Sequence, residues 1–131
     1  MYTLDDIRII PLSNCSGGLV VAEATSLPLS VKRFFMVTGH DNEKRGKHAH
    51  RAVTQYLICV HGACDVICDD GKQKKKFSLV NKNEALLLLP GIWAEQTYLE
   101  PETILLVACD ALYDEADYIR DYHDFLKYRL E

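Results

Sequence analysis

Apolar residues along the chain fall into short runs of β-branched, aliphatic and aromatic side chains, separated by residues that favour turns. Runs of this length and composition are typical of β-strands. The runs predicted as strands are 7–10, 19–23, 31–38, 53–60, 63–68, 75–79, 85–89, 97–99 and 103–109. Between them lie turn sequences such as Asp69-Asp70-Gly71 and Pro90-Gly91, where the chain is expected to reverse. The pattern therefore predicts an all-β sandwich or barrel.

The pattern changes in the tail, from Tyr113 onward, where apolar residues recur at steps of three and four. They are Tyr118, Ile119, Tyr122, Phe125, Leu126 and Leu130. This period predicts an amphipathic helix of about four turns. Acidic residues within 114–117 lie near its amino end, and Lys127 and Arg129 lie near its carboxyl end, which complements the helix dipole. We expect its apolar stripe to pack on the sheet rather than to hold a cofactor.

A chain of 131 residues without an internal repeat or a low-complexity linker is expected to form one domain spanning 1–131. It contains no uncharged apolar run long enough to cross a bilayer. The amino end lacks the basic and apolar pattern of a secretion signal, so we expect a cytoplasmic protein without a membrane partner. The net charge of −4 argues against a nucleic-acid partner, because phosphate grooves need a basic surface.

The five cysteines, Cys15, Cys59, Cys64, Cys68 and Cys109, are expected to be reduced packing residues. Cys64 and Cys68 are four residues apart, which does not match the Cys-x-x-Cys spacing of metal or redox sites. On a strand they would share one face. The basic run within 72–76 follows a turn and is predicted to form a solvated hairpin edge, where charge discourages edge-to-edge association.

The segment Arg45-Gly46-Lys47-His48-Ala49-His50 carries the strongest chemical signal. Two histidines at positions i and i+2 of an extended segment project to the same face, so both imidazoles would line one pocket inside a barrel. On a regular strand the cationic residues of the segment would point to the opposite face. A loop at Gly46 could instead redirect Arg45 toward a phosphate or an enediolate oxygen.

The histidine pair is compatible with a metal site or with proton transfer. A metal site needs three or four protein ligands, and Thr54, Gln55 and the segment 90–95 supply no further histidine, although Glu95 is a possible ligand. Neutral imidazole, in contrast, can both accept and return a proton near neutral pH. We therefore favour acid–base chemistry, and a metal site that recruits Glu95 stays open as the alternative.

The chain resembles the dTDP-4-oxo-6-deoxyglucose 3,4-ketoisomerase family from about residue 19 to residue 128. The resemblance rests on the Arg-Gly-x-His-Ala-His hexapeptide at 45–50, the strand and turn through 55–62, the hairpin at 69–71, the segment 90–93 and the tail Tyr-Asp-Glu-x-Asp-Tyr-Ile-Arg at 113–120. It implies a cupin-type β-barrel or jelly roll with a C-terminal amphipathic helix, which forms a homodimer and needs no cofactor. The implied reaction moves the carbonyl of a dTDP-linked keto sugar from C4 to C3, in the synthesis of dTDP-3-amino-3,6-dideoxyhexoses for bacterial surface glycans such as lipopolysaccharide O-antigen.

Family roles can be transferred to matching positions of this chain. His50 is expected to be the principal base and His48 its partner or acid. The residues expected to bind substrate are Arg45, Lys47, Arg33, Trp93, Tyr56 and Gln55, with an aromatic ring available to stack on thymine. The chain departs from the family pattern at Ser16, Phe35, Thr54 and Ala94, where members carry arginine, tyrosine, glutamate and histidine. These losses keep open a nucleotide-sugar-binding cupin without catalysis.

Overall fold

The computed structural model describes residues 1–14, 16–23 and 30–131. The strands are β1 Arg8–Pro11, β2 Ser13–Asn14, β3 Val20–Val21, β4 Arg33–Gly39, β5 Lys44–His50, β6 Gln55–His61, β7 Cys64–Asp69, β8 Lys74–Leu79, β9 Glu84–Leu88, β10 Trp93–Tyr98, β11 Thr103–Cys109 and β12 Tyr118–Ile119. The helix α1 spans Tyr122–Leu130, and short 3₁₀ turns occupy Leu4–Asp6, Ser16–Gly18 and Glu115–Asp117. The all-β prediction is confirmed.

Two five-stranded antiparallel sheets form the body of the molecule. One has the order β1-β9-β6-β11-β4 and the other the order β12-β5-β10-β7-β8, while β2 and β3 form a separate pair. The core lies between the sheets because alternate residues of each strand point inward. In β11, for example, Thr103, Leu105, Val107 and Cys109 are buried and the residues between them are half-buried. This arrangement is the jelly roll that the family resemblance implies.

Two smaller predictions are also confirmed. Cys64 and Cys68 are fully buried on the inward face of β7, on either side of Val66. Burial raises the pKa of both thiols to about 12, so they behave as small apolar groups. Lys74, Lys75 and Lys76 lie exposed on β8, which is the edge strand of its sheet, and Lys72 lies exposed just before it. Cys15 lies outside the described residues.

Strand β5, which carries the histidine pair, is absent from the predicted strands. Its seven residues include only one apolar side chain, Ala49, so neither hydrophobic alternation nor a continuous apolar run marks it. Its backbone is nevertheless paired on both sides, with β10 and with β12. The strand forms because tertiary pairing outweighs its weak intrinsic preference.

The predicted four-turn helix is wrong in its amino-terminal half. α1 begins at Tyr122 and has nine residues, because the Asp121 carboxylate caps it by accepting a hydrogen bond from the Asp124 amide at 3.0 Å. The preceding residues Tyr118 and Ile119 are extended and pair with β5. Their apolar spacing fits a helix equally well, so periodicity alone could not separate the two structures.

The helix packs on the outside of the second sheet, as expected for an apolar stripe. Phe125 is fully buried in a cluster with Ala49, Trp93 and Ile119. The Tyr122 hydroxyl donates to Asp69 Oδ2 at 2.6 Å, which joins α1 to the β7–β8 hairpin. Among the described residues, no helix has both the length and the apolarity needed to span a bilayer.

Candidate active site

A cavity of about 340 Å³ opens between the two sheets, on the side where β4, β5, β10, β11 and β12 meet. Its lining residues are Arg33, Phe35, Val37, Arg45, Gly46, His48, Gln55, Gln96, Tyr98, Val107, Tyr118 and Arg120. The volume lies within the range of small-molecule sites, and the lining combines aromatic rings with convergent polar groups. These properties make it the candidate active site.

An irregularity in β5 determines which of its side chains reach the cavity. Ala94 of β10 pairs with His48, but the next residue, Glu95, pairs with Gly46, so Lys47 is an extra residue. Gly46 and Lys47 have φ angles of 93° and 45°, which are left-handed conformations. This β-bulge brings both Arg45 and His48 to the cavity wall. Regular alternation is therefore the wrong expectation for Arg45, whereas Lys47 is exposed and outside the lining.

His48 presents a basic nitrogen to the cavity. Its Nδ1 lies 2.5 Å from the Gly46 carbonyl oxygen and donates to it, since a carbonyl oxygen can only accept. The remaining nitrogen, Nε2, then carries the lone pair. Burial lowers the pKa of His48 to about 4, even though the hydrogen bond to Gly46 acts in the opposite direction. The imidazole is therefore neutral at pH 7 and ready to accept a proton.

His50 lies behind His48 and is held by a residue of the tail. Its Nδ1 is 2.9 Å from Asp117 Oδ2, and the residue is only 6% exposed. Burial lowers the pKa of His50 and outweighs the opposing effect of Asp117, so the contact is a hydrogen bond from neutral imidazole rather than an ion pair. Its Nε2 is buried and has no hydrogen-bond partner in the part of the chain that the structure describes.

Tyr118 completes an aromatic cluster with the two histidines. Its ring centroid lies 4.4 Å from that of His50 and 5.0 Å from that of His48. The two imidazole rings are 5.0 Å apart and nearly perpendicular, at 87°. Tyr118 and Asp117 are functional candidates that the sequence analysis missed, because both lie in the segment predicted as helix. The family motif at 113–120, which contains both residues, was the sequence feature that could have identified them.

Three arginines make the rim of the cavity cationic. The Arg45 Nε donates to Glu43 Oε2 at 2.7 Å, and Arg120 forms a bidentate pair with Glu115 at 2.6 and 2.9 Å. Arg33 stacks over Phe35, with its guanidinium carbon 4.6 Å from the ring centroid. Guanidinium groups bind phosphate through paired hydrogen bonds. The rim is therefore suited to an anionic, phosphate-bearing ligand.

The predicted substrate-binding residues do not all converge on this cavity. Arg33, Arg45 and Gln55 line it. Tyr56 is fully buried on the other face of β6, and Trp93 is 5% exposed beneath α1. Neither ring belongs to the lining, because adjacent residues of a strand point to opposite faces.

The positions that depart from the family pattern lie in different environments. Phe35 lines the cavity, and Ala94 is buried in the core between the sheets. The backbone amide of Thr54 donates to Asp110 Oδ1 at 2.9 Å. The side chain of Ser16 lies outside the described part of the structure.

A metal ligand set does not assemble around the histidine pair. Over residues 1–14, 16–23 and 30–131, no three histidine, cysteine, aspartate or glutamate side chains converge closely enough to hold a metal ion. Glu95, the possible additional ligand, accepts a hydrogen bond from the Trp93 indole nitrogen at 3.1 Å.

A jelly roll of two antiparallel sheets, with a neutral imidazole and arginines lining one cavity, is the architecture of a cupin-type protein. The sequence matches the family described as "FdtA: WxcM-like, C-terminal" over residues 2–130. The chain therefore belongs to this FdtA family.

Similar proteins support the family assignment. A TDP-4-oxo-6-deoxy-α-D-glucose-3,4-oxoisomerase from Aneurinibacillus thermoaerophilus is 36% identical over 114 residues, which cover 86% of this chain and 82% of the relative. QdtA, a sugar 3,4-ketoisomerase from Thermoanaerobacterium thermosaccharolyticum solved with TDP, is 27% identical with a TM-score of 0.93, covering 98% of this chain and 97% of QdtA. A mutant of QdtA was solved with TDP-4-keto-6-deoxyglucose. WlaRB, a TDP-quinovose 3,4-ketoisomerase from Campylobacter jejuni, is 32% identical with a TM-score of 0.86, covering 93% of this chain and 98% of WlaRB.

Proposed function

We propose that this protein is a sugar-nucleotide 3,4-ketoisomerase that converts dTDP-4-oxo-6-deoxyglucose into a dTDP-3-oxo-6-deoxyhexose. The observation that carries the proposal is a neutral imidazole, His48, whose side chain lines a cavity ringed by arginines. The relatives are named for this isomerisation of TDP-linked sugars. The chemistry of the site matches the requirements of that reaction.

Substrate binding is assigned to the cationic rim. Arg33, Arg45 and Arg120 surround the cavity that His48 lines, so a diphosphate bound among them would leave the attached sugar near the imidazole. Gln55 and Gln96 add amide groups that can hydrogen-bond sugar hydroxyls. A guanidinium close to the sugar would also stabilise an enediolate oxygen as negative charge develops.

The reaction needs one proton to move between carbons and another between oxygens. The C4 carbonyl acidifies the proton on C3, and His48 Nε2 accepts it while the electron pair of the C3–H bond forms the C3=C4 double bond. The C4 oxygen gains the negative charge, which gives an enediolate, and it then takes up the proton that the C3 hydroxyl releases. His48 returns its proton to C4, and the carbonyl forms at C3. No net proton, electron or cofactor is consumed.

The two histidines divide these transfers. The family resemblance implies His50 as the principal base. The geometry instead favours His48 for the carbon proton, because its side chain reaches the cavity whereas His50 is 6% exposed behind it. His50 retains a lone pair on Nε2, beside the rings of His48 and Tyr118. We assign His50 to the hydroxyl proton, as the acceptor that helps to transfer it between the two sugar oxygens.

The test is turnover by the wild type and by matched histidine variants. Purified protein is incubated with dTDP-4-oxo-6-deoxyglucose, and the 3-oxo product is followed by proton NMR. We expect His48→Asn and His50→Asn each to lose at least about 100-fold in kcat, the usual contribution of a positioned acid–base group. His61→Asn is the control, because His61 is exposed at the far end of β6 and should keep wild-type activity.

The binding-only alternative predicts a different result from the same samples. Tight dTDP binding without product from the wild type would indicate a nucleotide-sugar-binding protein without catalysis. Activity that survives in both His48→Asn and His50→Asn would contradict the assignment of the acid–base groups.

The proposal extends to the assembly and the biological setting. We propose a homodimer, supported by the strongly exposed side chains of Phe34 and Met36 on the edge strand β4. The 3-oxo product is suited to amination at C3, in the synthesis of 3-amino-3,6-dideoxyhexoses for surface glycans such as O-antigen. We place the protein in the cytoplasm, where the buried, high-pKa thiols of Cys64 and Cys68 would stay reduced.

A further inference from the structure

We infer that Asp117 is a positioning residue for the isomerisation, which holds His50 in the tautomer with a lone pair on Nε2. The inference rests on the proposed function and adds a residue from the tail segment to the machinery of β5. In this role Asp117 does not contact the substrate and acts through His50.

The two oxygens of the Asp117 carboxylate have separate partners. Oδ2 lies 2.9 Å from His50 Nδ1, and Oδ1 accepts a hydrogen bond from the Ala52 amide at 2.7 Å. The Asp117 carbonyl oxygen also accepts from the Arg51 amide at 2.9 Å. The carboxylate is therefore fixed on both sides and cannot rotate without losing a hydrogen bond. A fixed acceptor facing Nδ1 requires the Nδ1–H form of neutral His50.

The tautomer matters because the other nitrogen of His50 lies beside the cavity wall. Nε2 is buried and has no partner among the described residues, and the ring contacts two lining residues, Tyr118 at 4.4 Å and His48 at 5.0 Å between centroids. With hydrogen on Nδ1, Nε2 is a hydrogen-bond acceptor, which a substrate hydroxyl reaches once the His48 or Tyr118 ring shifts aside. With hydrogen on Nε2, the same atom could only donate, and the hydroxyl proton would have no basic acceptor there.

A purely structural role would require no particular tautomer. Asp110 provides the comparison, because its Oδ1 accepts from the Thr54 amide at 2.9 Å, just as Asp117 Oδ1 accepts from the Ala52 amide. Among the described residues, the Asp110 carboxylate makes no hydrogen bond to a histidine. Both aspartates accept a hydrogen bond from a backbone amide in the same loop region. Asp110→Asn and Asp117→Asn therefore make the same chemical change at two comparable positions.

The experiment is ¹⁵N NMR of the imidazole nitrogens together with steady-state kinetics, on the wild type, Asp117→Asn and Asp110→Asn. The His50 signals are assigned from their absence in His50→Asn. In the wild type we expect His50 to carry its hydrogen on Nδ1. In Asp117→Asn the side-chain oxygen keeps the Ala52 amide and the NH₂ group faces Nδ1, so the hydrogen should move to Nε2.

The kinetic expectation is a loss confined to kcat. Asp117→Asn should lower kcat about 100-fold, the contribution of a correctly protonated acid–base group, with the dissociation constant for dTDP unchanged. Asp110→Asn should change neither the tautomer nor kcat. Asp117→Glu keeps a carboxylate and should retain the Nδ1–H form. If the asparagine variant does not fold, the same NMR and kinetic measurements are made on Asp117→Glu.

Two results would overturn the inference. One is a wild-type His50 with its hydrogen on Nε2, and the other is an Asp117→Asn protein that inverts the tautomer yet keeps its kcat. Failure of the proposed function looks different, because the wild type itself would then form no 3-oxo sugar while the NMR spectra still reported the tautomer.

Discussion

His48 and His50 lie two positions apart on β5, but their surroundings differ. His48 reaches the cavity and donates to a backbone carbonyl of its own strand, whereas His50 is buried and donates to Asp117, 67 positions along the chain. The i and i+2 spacing predicts that both rings line one pocket; the two rings are neighbours, 5.0 Å apart, but of the two only His48 lines the cavity. It could not predict which ring meets the ligand, because that depends on the bulge at Lys47 and on a partner from the tail.

The pH dependence of activity should follow His48. Its pKa is lowered from 6.5 to about 4, chiefly by burial, so the free enzyme keeps a neutral base well below neutral pH. We expect kcat/KM to change little between pH 7 and pH 5 and to fall as the pH drops through about 4. A bound diphosphate favours the protonated imidazole, so kcat should begin to fall at a higher pH than kcat/KM.

The same shift has a consequence for stability, with a defined sign. The unfolded chain binds a proton at this histidine below pH 6.5, and the folded chain does so only below about 4, so the free energy of unfolding should decrease as the pH falls across this interval. Urea unfolding of the wild type and of His48→Asn at several pH values measures the difference. A wild-type pH dependence equal to that of the variant would contradict the low pKa.

Glu115 should act as a competitor for the ligand. Its bidentate hydrogen bonds to Arg120 lower the pKa of Glu115 to about 2, so the carboxylate is charged and occupies the donors that a phosphate would use. Because the pair is exposed, removing it should raise dTDP affinity only about two- to fivefold in Glu115→Gln. Isothermal titration calorimetry checks this, with Glu100→Gln, an exposed glutamate outside the cavity lining, as the control. A loss of affinity in Glu115→Gln would indicate that Glu115 orients Arg120 instead.

At the scale of single elements, the bulge in β5 determines the composition of the site. Gly46 has a φ of 93°, and a Cβ added there would lie 3.0 Å from the Ala94 carbonyl oxygen of β10. A loop at Gly46 that redirects Arg45 is one expectation from the sequence, and the structure has a bulge at that position. The exact register could not be predicted, because it is fixed by pairing with a strand about 50 residues away.

Gly46→Ala should therefore destabilise the protein and impair the site. We expect a loss of about 1–3 kcal/mol, from the left-handed conformation together with the close contact. Gly17→Ala is the matched control, because Gly17 has a φ of 79° but nothing within 4 Å of the added Cβ. Chemical denaturation should show a larger loss for Gly46→Ala, with a lower kcat/KM for that variant alone. Equal losses would mean that contact with β10 contributes nothing.

The tail shows where sequence periodicity reaches its limit. Residues 118–130 contain apolar positions at helical spacing, yet Tyr118 and Ile119 form a strand and only Tyr122–Leu130 is helical. Pairing with β5 decides the first part, and capping by Asp121 decides the second. Asp117 was placed in the wrong element for the same reason and could not be connected with His50.

At the scale of the whole molecule, strand composition and turn residues were enough to predict an all-β domain. Its topology was not predictable from pattern alone, because neighbours such as β12 and β5 or β11 and β6 are distant in sequence. The family resemblance supplied the jelly roll, and its motifs supplied the histidine pair. Assignment of Trp93 and Tyr56 to substrate binding stays a prediction that this cavity does not support, since both rings are buried elsewhere.

The oligomeric state should depend on the outer face of β4. Phe34 and Met36 are 66% and 64% exposed there, on an edge strand, and Phe34 lines a surface pocket together with Leu112, which is 70% exposed. Adjacent exposed apolar groups of this kind commonly mark an interface. We expect the wild type to sediment as a dimer and Phe34→Glu/Met36→Lys to shift toward the monomer. Val80→Glu, a charge at a similarly exposed apolar position after β8, should leave the dimer intact, and a double variant that stays dimeric would place the interface elsewhere.

The measurement that tests the central claim most directly is proton NMR of the wild type with dTDP-4-oxo-6-deoxyglucose in deuterium oxide. The proposed mechanism predicts the signals of a 3-oxo sugar and deuterium at the reacting carbons, both lost in His48→Asn. Unchanged substrate without exchange at C3, in a sample whose thymidine signals broaden on binding, would contradict catalysis by this site.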